Sequence, residues 1–303
     1  MKTVAMLIAG ACALAVPALA HADLNVFACE PEWAALAREV GGDKVTVTAG
    51  VTAQQDPHHI EARPSLIARV RSADMVVCTG AELEVGWLPL LLRSSGNSKI
   101  QTGQPGYFLA AEFVTRLEVP TRLDRADGDV HPAGNPHIHL DPRNLVRIGR
   151  ALAERMGKVD AAHAGYYQSR ATDFATRMDQ AIARWEVQAA PLKGMRVVAH
   201  HKDESYLFHW LGVIEVANLE PKPGVPPSAS YLAELLERLK ADPAQVIVRS
   251  AYLDPKPSEW LGNRARIPVV VMPYTVGGTA QASDLFGLFN DSINRMLAAQ
   301  KAG

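Results

Sequence analysis

Seven of the ten histidines in this chain fall into three short clusters: His58-His59, His131/His137/His139 and His200-His201. Neutral imidazole is the commonest side-chain ligand for a borderline divalent metal, and three imidazoles leave zinc one further position. Each cluster lies where a loop precedes or follows a strand or helix. In parallel α/β folds such loops form the ligand sites beyond the carboxyl ends of strands. The clusters come from both halves of the chain, so they converge only if the two halves face each other across a cleft. Surface histidine tracts also bind metal loosely without a built site, so clustering alone is not decisive. His163 and His209 sit inside helical patterns and read as capping, surface or core residues.

The elements that must position these histidines follow from periodicity. Leu24 to Cys29 reads as a strand, Glu32 to Val40 as a helix halted by Gly41-Gly42, and Lys44 to Thr48 as a second strand. Pro64 to Arg71 reads as a helix, and Asp74 to Cys78 as a buried strand. This alternation predicts a parallel sheet covered by helices. The second half repeats the style. Met195 to Ala199, Gln245 to Val248 and Ile267 to Val271 read as strands, Ser230 to Lys240 as an amphipathic helix, and about Ser283 to Ala299 as a final helix. Between the halves, Asp160 to Gln188 has no proline, and Gly165 is its only glycine. A helix of that length crosses a whole domain. The expected fold is α/β in two lobes, each a parallel sheet flanked by helices, joined by one long rigid helix, with the site in the cleft. The expected divisions are a signal over 1–22, an N-terminal lobe over 23–158, the connecting helix over 159–190 and a C-terminal lobe over 191–303.

The chain opens with Lys2, runs uncharged from Val4 to Ala20, and reaches Ala18-Leu19-Ala20-His21-Ala22. A basic start, an apolar stretch and a small-residue end read as a secretory signal cleaved near Ala22. The periplasm is the expected location. Formal net charge is −1 at pH 7, which favours neither nucleic acid nor an anionic membrane surface as partner. A monomer is expected. Cys12 and His21 leave with the signal, and Cys29 and Cys78 remain. An oxidising compartment permits them to pair. Adjacent parallel strands often hold side chains poorly for a bridge, so the pairing stays open at this point. The segment Arg122 to His139 gathers Asp124, Asp127, Asp129 and three histidines with glycine and proline, and reads as a polar loop.

The residues around the histidines are more specific than the histidines themselves. Asp56-Pro57-His58-His59-Ile60-Glu61-Ala62-Arg63-Pro64-Ser65 resembles the "DPHxYEPxPS" stretch of the solute-binding proteins of zinc and manganese ABC transporters. Asn135 to Pro142 resembles their "DPHxWLDP". Val197 to Tyr206 resembles "VxxHDAFxYF", with Leu211-Gly212 where the family has "YGL". Ala73 to Val77, with Gly80 and Glu84, resembles "ADLVVxNGxxLE", and Glu220 to Ser228 resembles the connector "EPxxEPS". The motifs occur in family order over the chain that follows the signal. The resemblance implies metal ligands at His58, His137 and His201. The second histidine of the 200/201 pair is chosen because Tyr206 lies five residues after it. His59, His139 and His200 then become neighbours or outer groups.

One position departs from the pattern. Manganese-type members carry an aspartate in a "YTDSxG" segment, which here reads Tyr274-Thr275-Val276-Gly277-Gly278. Val276 cannot bind metal. Water, His59, His139, His200, Glu61 or Asp284 stand as candidates beside the three ligands. The implied function is capture of zinc, with manganese as the alternative, and its delivery to a membrane permease with an ATPase. A periplasmic zinc hydrolase is the competing reading, suggested by His137-x-His139 beside several acids. Against it, the chain has neither H-E-x-x-H nor G-x-S-x-G. No catalytic residue is expected.

Overall fold

Along the first strands, successive side chains go to different cores, as the period of two requires. In β1 (Leu24–Ala28) and β3 (Met75–Cys78), Val26, Ala28, Met75 and Val77 join one apolar cluster. Phe27, Val76 and Cys78 join another, on the opposite face, as does Cys29 just beyond β1. The computed structural model describes residues 23–122 and 131–302. The expected export signal, with Cys12, His21 and the expected cleavage near Ala22, lies outside the described residues. So do Asp124, Asp127 and Asp129 of the polar loop.

With β2 (Val45–Ala49) and β4 (Tyr107–Leu109), these strands form a parallel sheet of order β2-β1-β3-β4. The second lobe repeats the plan. Strands β5 (Arg196–Ala199), β6 (Ile214–Asn218), β7 (Val246–Ser250) and β8 (Val269–Met272) pair in parallel in the order β6-β5-β7-β8. In each sheet the order reverses beside the first strand, which is where open α/β sheets bind ligands.

Helices begin where proline and capping residues allow. Pro31 opens α1 (Pro31–Gly41) and Pro64 opens α2 (Pro64–Arg71), each at a position that lacks an N–H partner anyway. Helix α3 (Leu88–Ser95) stops at Gly96, whose φ of 64° is left-handed. Asp141 caps α4 (Pro142–Val159) by accepting from the Arg143 N–H, and Pro142 supplies the first turn. The "LDP" of the third stretch is therefore a helix start. It anchors the 3₁₀ turn Ile138–Leu140 that follows His137.

The connecting helix is α5 (Ala164–Ala189), 26 residues and about 39 Å long at 1.5 Å per residue. It begins later than periodicity suggested, because Asp160 ends α4 and a 3₁₀ turn, Ala161–His163, intervenes. Beyond it lie α6 (Ser205–Leu211), α7 (Ala229–Ala241), α8 (Pro255–Ala265) and α9 (Leu285–Ala302). Strands β4 and β6 and helices α3, α4, α6 and α8 have no counterpart in the periodicity reading. β4 has three residues, β6 is an exposed-edge strand with an irregular register against β5, and α6 spans under two turns.

The principal apolar cluster does not stop at the lobe boundary. It joins Val26 and Val77 of the first sheet to Phe174, Met178 and Trp185 of α5, then to Val197 and Val248 of the second sheet and Phe289 of α9. Side chains on the outer faces form two smaller clusters, one per lobe.

Cys29 and Cys78 are joined in a disulfide, with Cα atoms 4.8 Å apart. The pairing left open by sequence is resolved by register. Ala28 lies opposite Val77, so the two cysteines fall directly opposite at the ends of adjacent strands, on one face. Thiol titration of denatured, unreduced protein should therefore find no free thiol at these positions. Reduction should lower the unfolding free energy by about 4 kcal/mol, the loop-closure value for a segment of this length, measurable by denaturant titration with and without reductant.

Candidate metal centre

The carboxyl ends of both sheets point into the cleft, and the loops beyond them carry the histidines. His58 lies in the loop between β2 and α2, His137 just before the 3₁₀ turn that leads into α4, and His201 two residues beyond β5. One ring nitrogen from each lies within 4.8 Å of the others. Ring centroids are 5.5 Å apart for His58 and His137, 5.7 Å for His58 and His201, and 5.6 Å for His137 and His201. The three rings are nearly equidistant, as a shared central ion requires.

Each ring is held by its Nδ1. His58 Nδ1 donates to Asp56 Oδ1 at 2.9 Å, and the same oxygen accepts from the His58 backbone N–H. His201 Nδ1 donates to Glu220 Oε2 at 2.6 Å. His137 Nδ1 lies 3.0 Å from the Tyr274 hydroxyl. Tying Nδ1 to an oxygen orients the ring and leaves Nε2 as the atom that can face an ion once any proton on it is displaced. All three Nε2 atoms are thus left for one point.

The loops are held in turn by polar anchors. Trp87 Nε1 donates to the Pro57 carbonyl at 2.9 Å, beside His58. Asn135 accepts from the His137 N–H and donates to the Lys202 carbonyl, so one amide joins the His137 and His201 loops. The Tyr206 hydroxyl donates to the Asn135 carbonyl and accepts from the Leu117 N–H. Tyr206, used to choose His201 by spacing, fixes the opposite wall of the cleft.

Two further side chains reach the cluster. Asp203 is fully buried, and its Oδ1 lies 3.5 Å from His137 Nε2. The Tyr252 hydroxyl donates to it at 3.0 Å. His131 Nε2 lies 3.2 Å from His58 Nε2 on the mouth side. Sequence reasoning did not single out Asp203, which stands two residues after His201 amid other polar residues. Sequence grouped His131 with His137 and His139 in a polar loop expected near the mouth, where it could pick up zinc, but did not name it among the ligands.

The five residues named as candidate neighbours lie elsewhere. His59 is exposed, and its Nδ1 donates to Asp56 Oδ2, so it shares the carboxylate that holds His58. His139 has both nitrogens directed away from the cluster. Nε2 donates to the Tyr274 carbonyl at 2.9 Å, and Nδ1 faces Glu32 Oε1 at 3.3 Å. His200 is buried, with no hydrogen-bond partner on Nδ1, and it is absent from the three-residue group. Glu61 is exposed on its loop. Asp284 accepts from the Gly287 N–H at the start of α9, in a different cavity that also contains Val276 and Arg38. A carboxylate, Asp203, does approach His137 from another direction than the position of Val276. His163 bonds Asp160 in the 3₁₀ turn before α5, and His209 is exposed on α6.

His137 and His201 differ in charge. Burial, then the fields of His58 and His201, push His137 well below the ordinary imidazole value. Burial likewise pushes His131 down to about 3 and His200 down to about 4. His201 goes the other way. Burial opposes its protonation, but Asp203 and Glu220 outweigh burial and raise it to about 9. Burial raises Asp203 despite the opposing charge of His201.

A family model described as zinc-uptake complex component A, periplasmic, matches residues 26–299. A manganese ABC transporter substrate-binding lipoprotein, PsaA of Streptococcus anginosus, is 21% identical over 254 residues, covering 83% of this chain and 80% of that protein. The zinc-binding lipoprotein AdcA of Streptococcus pneumoniae is 25% identical over 272 residues, covering 87% of this chain but 52% of that protein, so the chain spans about half of that relative. A crystal structure of ZnuA superposes with a TM-score of 0.74 at 21% identity, covering 90% of this chain and 99% of the other, and so shares its fold.

The charge asymmetry gives a direct expectation. In metal-free protein, an NMR titration should place His201 at about 9, far above the unperturbed imidazole value near 6.5. Asp203→Asn should bring it down toward that ordinary value. A His201 that titrates near 6.5 in the unsubstituted protein contradicts the proposed field.

Proposed function

Because the chain belongs to the zinc-uptake complex component A family, periplasmic substrate-binding proteins of metal ABC transporters and not enzymes, we propose that it captures zinc through His58, His137 and His201 for delivery to a permease and its ATPase. The observation that carries this reading is the common orientation of three imidazoles. Each has Nδ1 tied to an oxygen and Nε2 turned to one point. A catalytic zinc site needs an activated water and a substrate path. A transport site needs reversible capture, which three neutral donors and one carboxylate provide.

Asp203 is the proposed fourth ligand, on the buried side of the cluster, and the Tyr252 hydroxyl orients it. His131 stands at the mouth as a ligand for the incoming ion. Zinc is preferred over manganese on donor chemistry. Imidazole nitrogen suits zinc, manganese favours oxygen, and at a common nitrogen site zinc lies above manganese in affinity. The reach of Asp203 weakens the case drawn from Val276, because a hard oxygen and its negative charge are present after all. The preference therefore rests on the three nitrogens.

Capture must displace a proton. At neutral pH His201 is protonated in metal-free protein, since it titrates at about 9, whereas His137 is already neutral. Zinc affinity should then rise as pH increases through 7 and 8 and level off near 9, by up to about tenfold per pH unit. Calorimetry in buffers of different ionisation enthalpy should count about one proton released per zinc at pH 7. A plateau already reached at pH 7 contradicts this.

Replacing His58, His137 or His201 by Ala should each lower zinc affinity by more than about 100-fold. Glu220→Gln should cost about 10- to 100-fold, the usual range for an outer-shell partner. His163→Ala should leave affinity unchanged. Competition titration at neutral pH should show zinc displacing manganese. Equal affinity for the two metals overturns the zinc assignment and leaves the site standing, whereas undiminished binding in His201→Ala overturns the site.

A further inference from the structure

The chain between β3 and α3 holds a conformation that side chains resist. Gly80, Ala81 and Glu82 follow one another with φ of 75°, 49° and 69°. Glycine takes the left-handed region freely. A side chain there crowds the following carbonyl, so alanine and glutamate adopt it rarely. Such a turn persists only where its surroundings impose it.

Glu84 imposes it. Its side chain is buried and turns back on the chain. Oε1 accepts from the Thr79 N–H at 2.6 Å, and Oε2 accepts from the Gly80 N–H at 3.0 Å. One carboxylate thus closes the turn with both of its oxygens. A glutamine amide has a single acceptor oxygen and would set its NH2 donors against the second N–H. Burial raises Glu84 to about 7, and the two N–H bonds oppose that rise. A buried carboxylate is costly, and these bonds offset part of the cost.

The turn carries the support of His58. Gly86, two residues beyond Glu84, passes close to that ligand: a Cβ there would lie 3.5 Å from the His58 carbonyl oxygen. The next residue, Trp87, is buried and donates from Nε1 to the Pro57 carbonyl at 2.9 Å. The main chain is tied to Glu84 as well. The Trp87 and Leu88 N–H groups both donate to the Glu84 carbonyl, at 3.1 and 2.9 Å. Gly50 to Arg63 has no helix or strand, so the place of His58 is set by contacts of this kind.

We propose that Glu84 is a positioning residue for the metal site: it clamps the left-handed turn that seats Gly86 and Trp87 against His58 and Pro57. The proposal rests on the assignment of His58 as a metal ligand. Glu84 stands apart from the three-histidine group and acts through the turn. The turn in turn fixes where the His58 ring stands relative to His137 and His201.

A double-mutant cycle tests the clamp. Zinc affinity is measured by chelator competition for the unsubstituted chain, Glu84→Gln, His58→Ala and the double variant, with circular dichroism as the check on folding. Glu84→Gln should lower zinc affinity by about tenfold or more, the range for a partner that supports a ligand from outside. An effect that passes through His58 disappears once that ring is gone. In the His58→Ala background the same substitution should therefore change affinity by less than about twofold. A turn that mattered only for general stability would cost the same in both backgrounds. Trp87→Phe, which keeps an aromatic ring and loses the N–H, should reproduce the pattern, and it takes the place of Glu84→Gln in the cycle if that variant does not fold. Unchanged affinity on substitution, or an equal loss in both backgrounds, overturns the clamp and leaves the metal site standing. Zinc affinity that His58→Ala does not lower overturns the ligand assignment and the clamp together.

Discussion

Three imidazoles carried by two lobes converge on one point only if the lobes are held at a fixed separation, to within the reach of a metal–nitrogen bond. The unbroken apolar cluster supplies that constraint. Val26 and Val77 of one sheet and Val197 and Val248 of the other belong to a single apolar cluster that also takes in residues of α5 and α9. Interiors are close-packed and resist small displacements. The cleft is therefore the gap between two sheets that share one core. Polar ties across the gap refine the spacing: Tyr206 to Asn135, Asn135 to Lys202, and Thr275 to Glu32 at 2.5 Å.

Within that frame the site is built from the outside inward. Asp56, Glu220 and Tyr274 make no claim on the central point. Each fixes the ring that does, by taking its Nδ1. Burial and charge then give the rings different roles. His137 sits deep, where burial disfavours its charged form, and His201 lies between Asp203 and Glu220, which favour its protonated form. The negative charge that draws a cation inward is thus concentrated around one ring. His139 contributes at a distance, since it braces the Tyr274 carbonyl from behind and so supports the hydroxyl that orients His137.

Much of this arrangement was legible in sequence where local physics dictates the outcome. Pro64 to Arg71 reads as a helix and is one, because proline at the first position and an apolar stripe leave little alternative. The buried strands around Val76 and Val197 are equally plain. The three candidate ligands were named because the surrounding stretches matched a family, and the reasons for those stretches now appear. Asp141-Pro142 starts a helix, Asn135 joins two loops, and Tyr206 ties the walls. The illegible parts depend on contacts between residues far apart in the chain. Asp203 became visible as a neighbour of His137 only when residues 66 positions apart met across the cleft. The disulfide needed the register of β1 on β3, which no spacing rule gives. His139 and His200 looked like ligands by residue type, yet each ring is turned away by a bond or by burial.

The shared core has a bearing on how a bound ion leaves. Two lobes that pivoted freely could release cargo by swinging apart, but here a pivot would tear the cluster that runs through α5. The parts with little to lose are the loops, and they are not equal. His137 stands next to a capped helix, and His201 lies two residues from a strand buried at the sheet's centre. His58 rides a stretch with no helix or strand from Gly50 to Arg63, anchored chiefly by Trp87 and Asp56. Local opening occurs where backbone bonds and apolar contacts are fewest. A docking membrane partner would then need to dislodge one strap of chain, and the vessel itself would keep its shape while it empties.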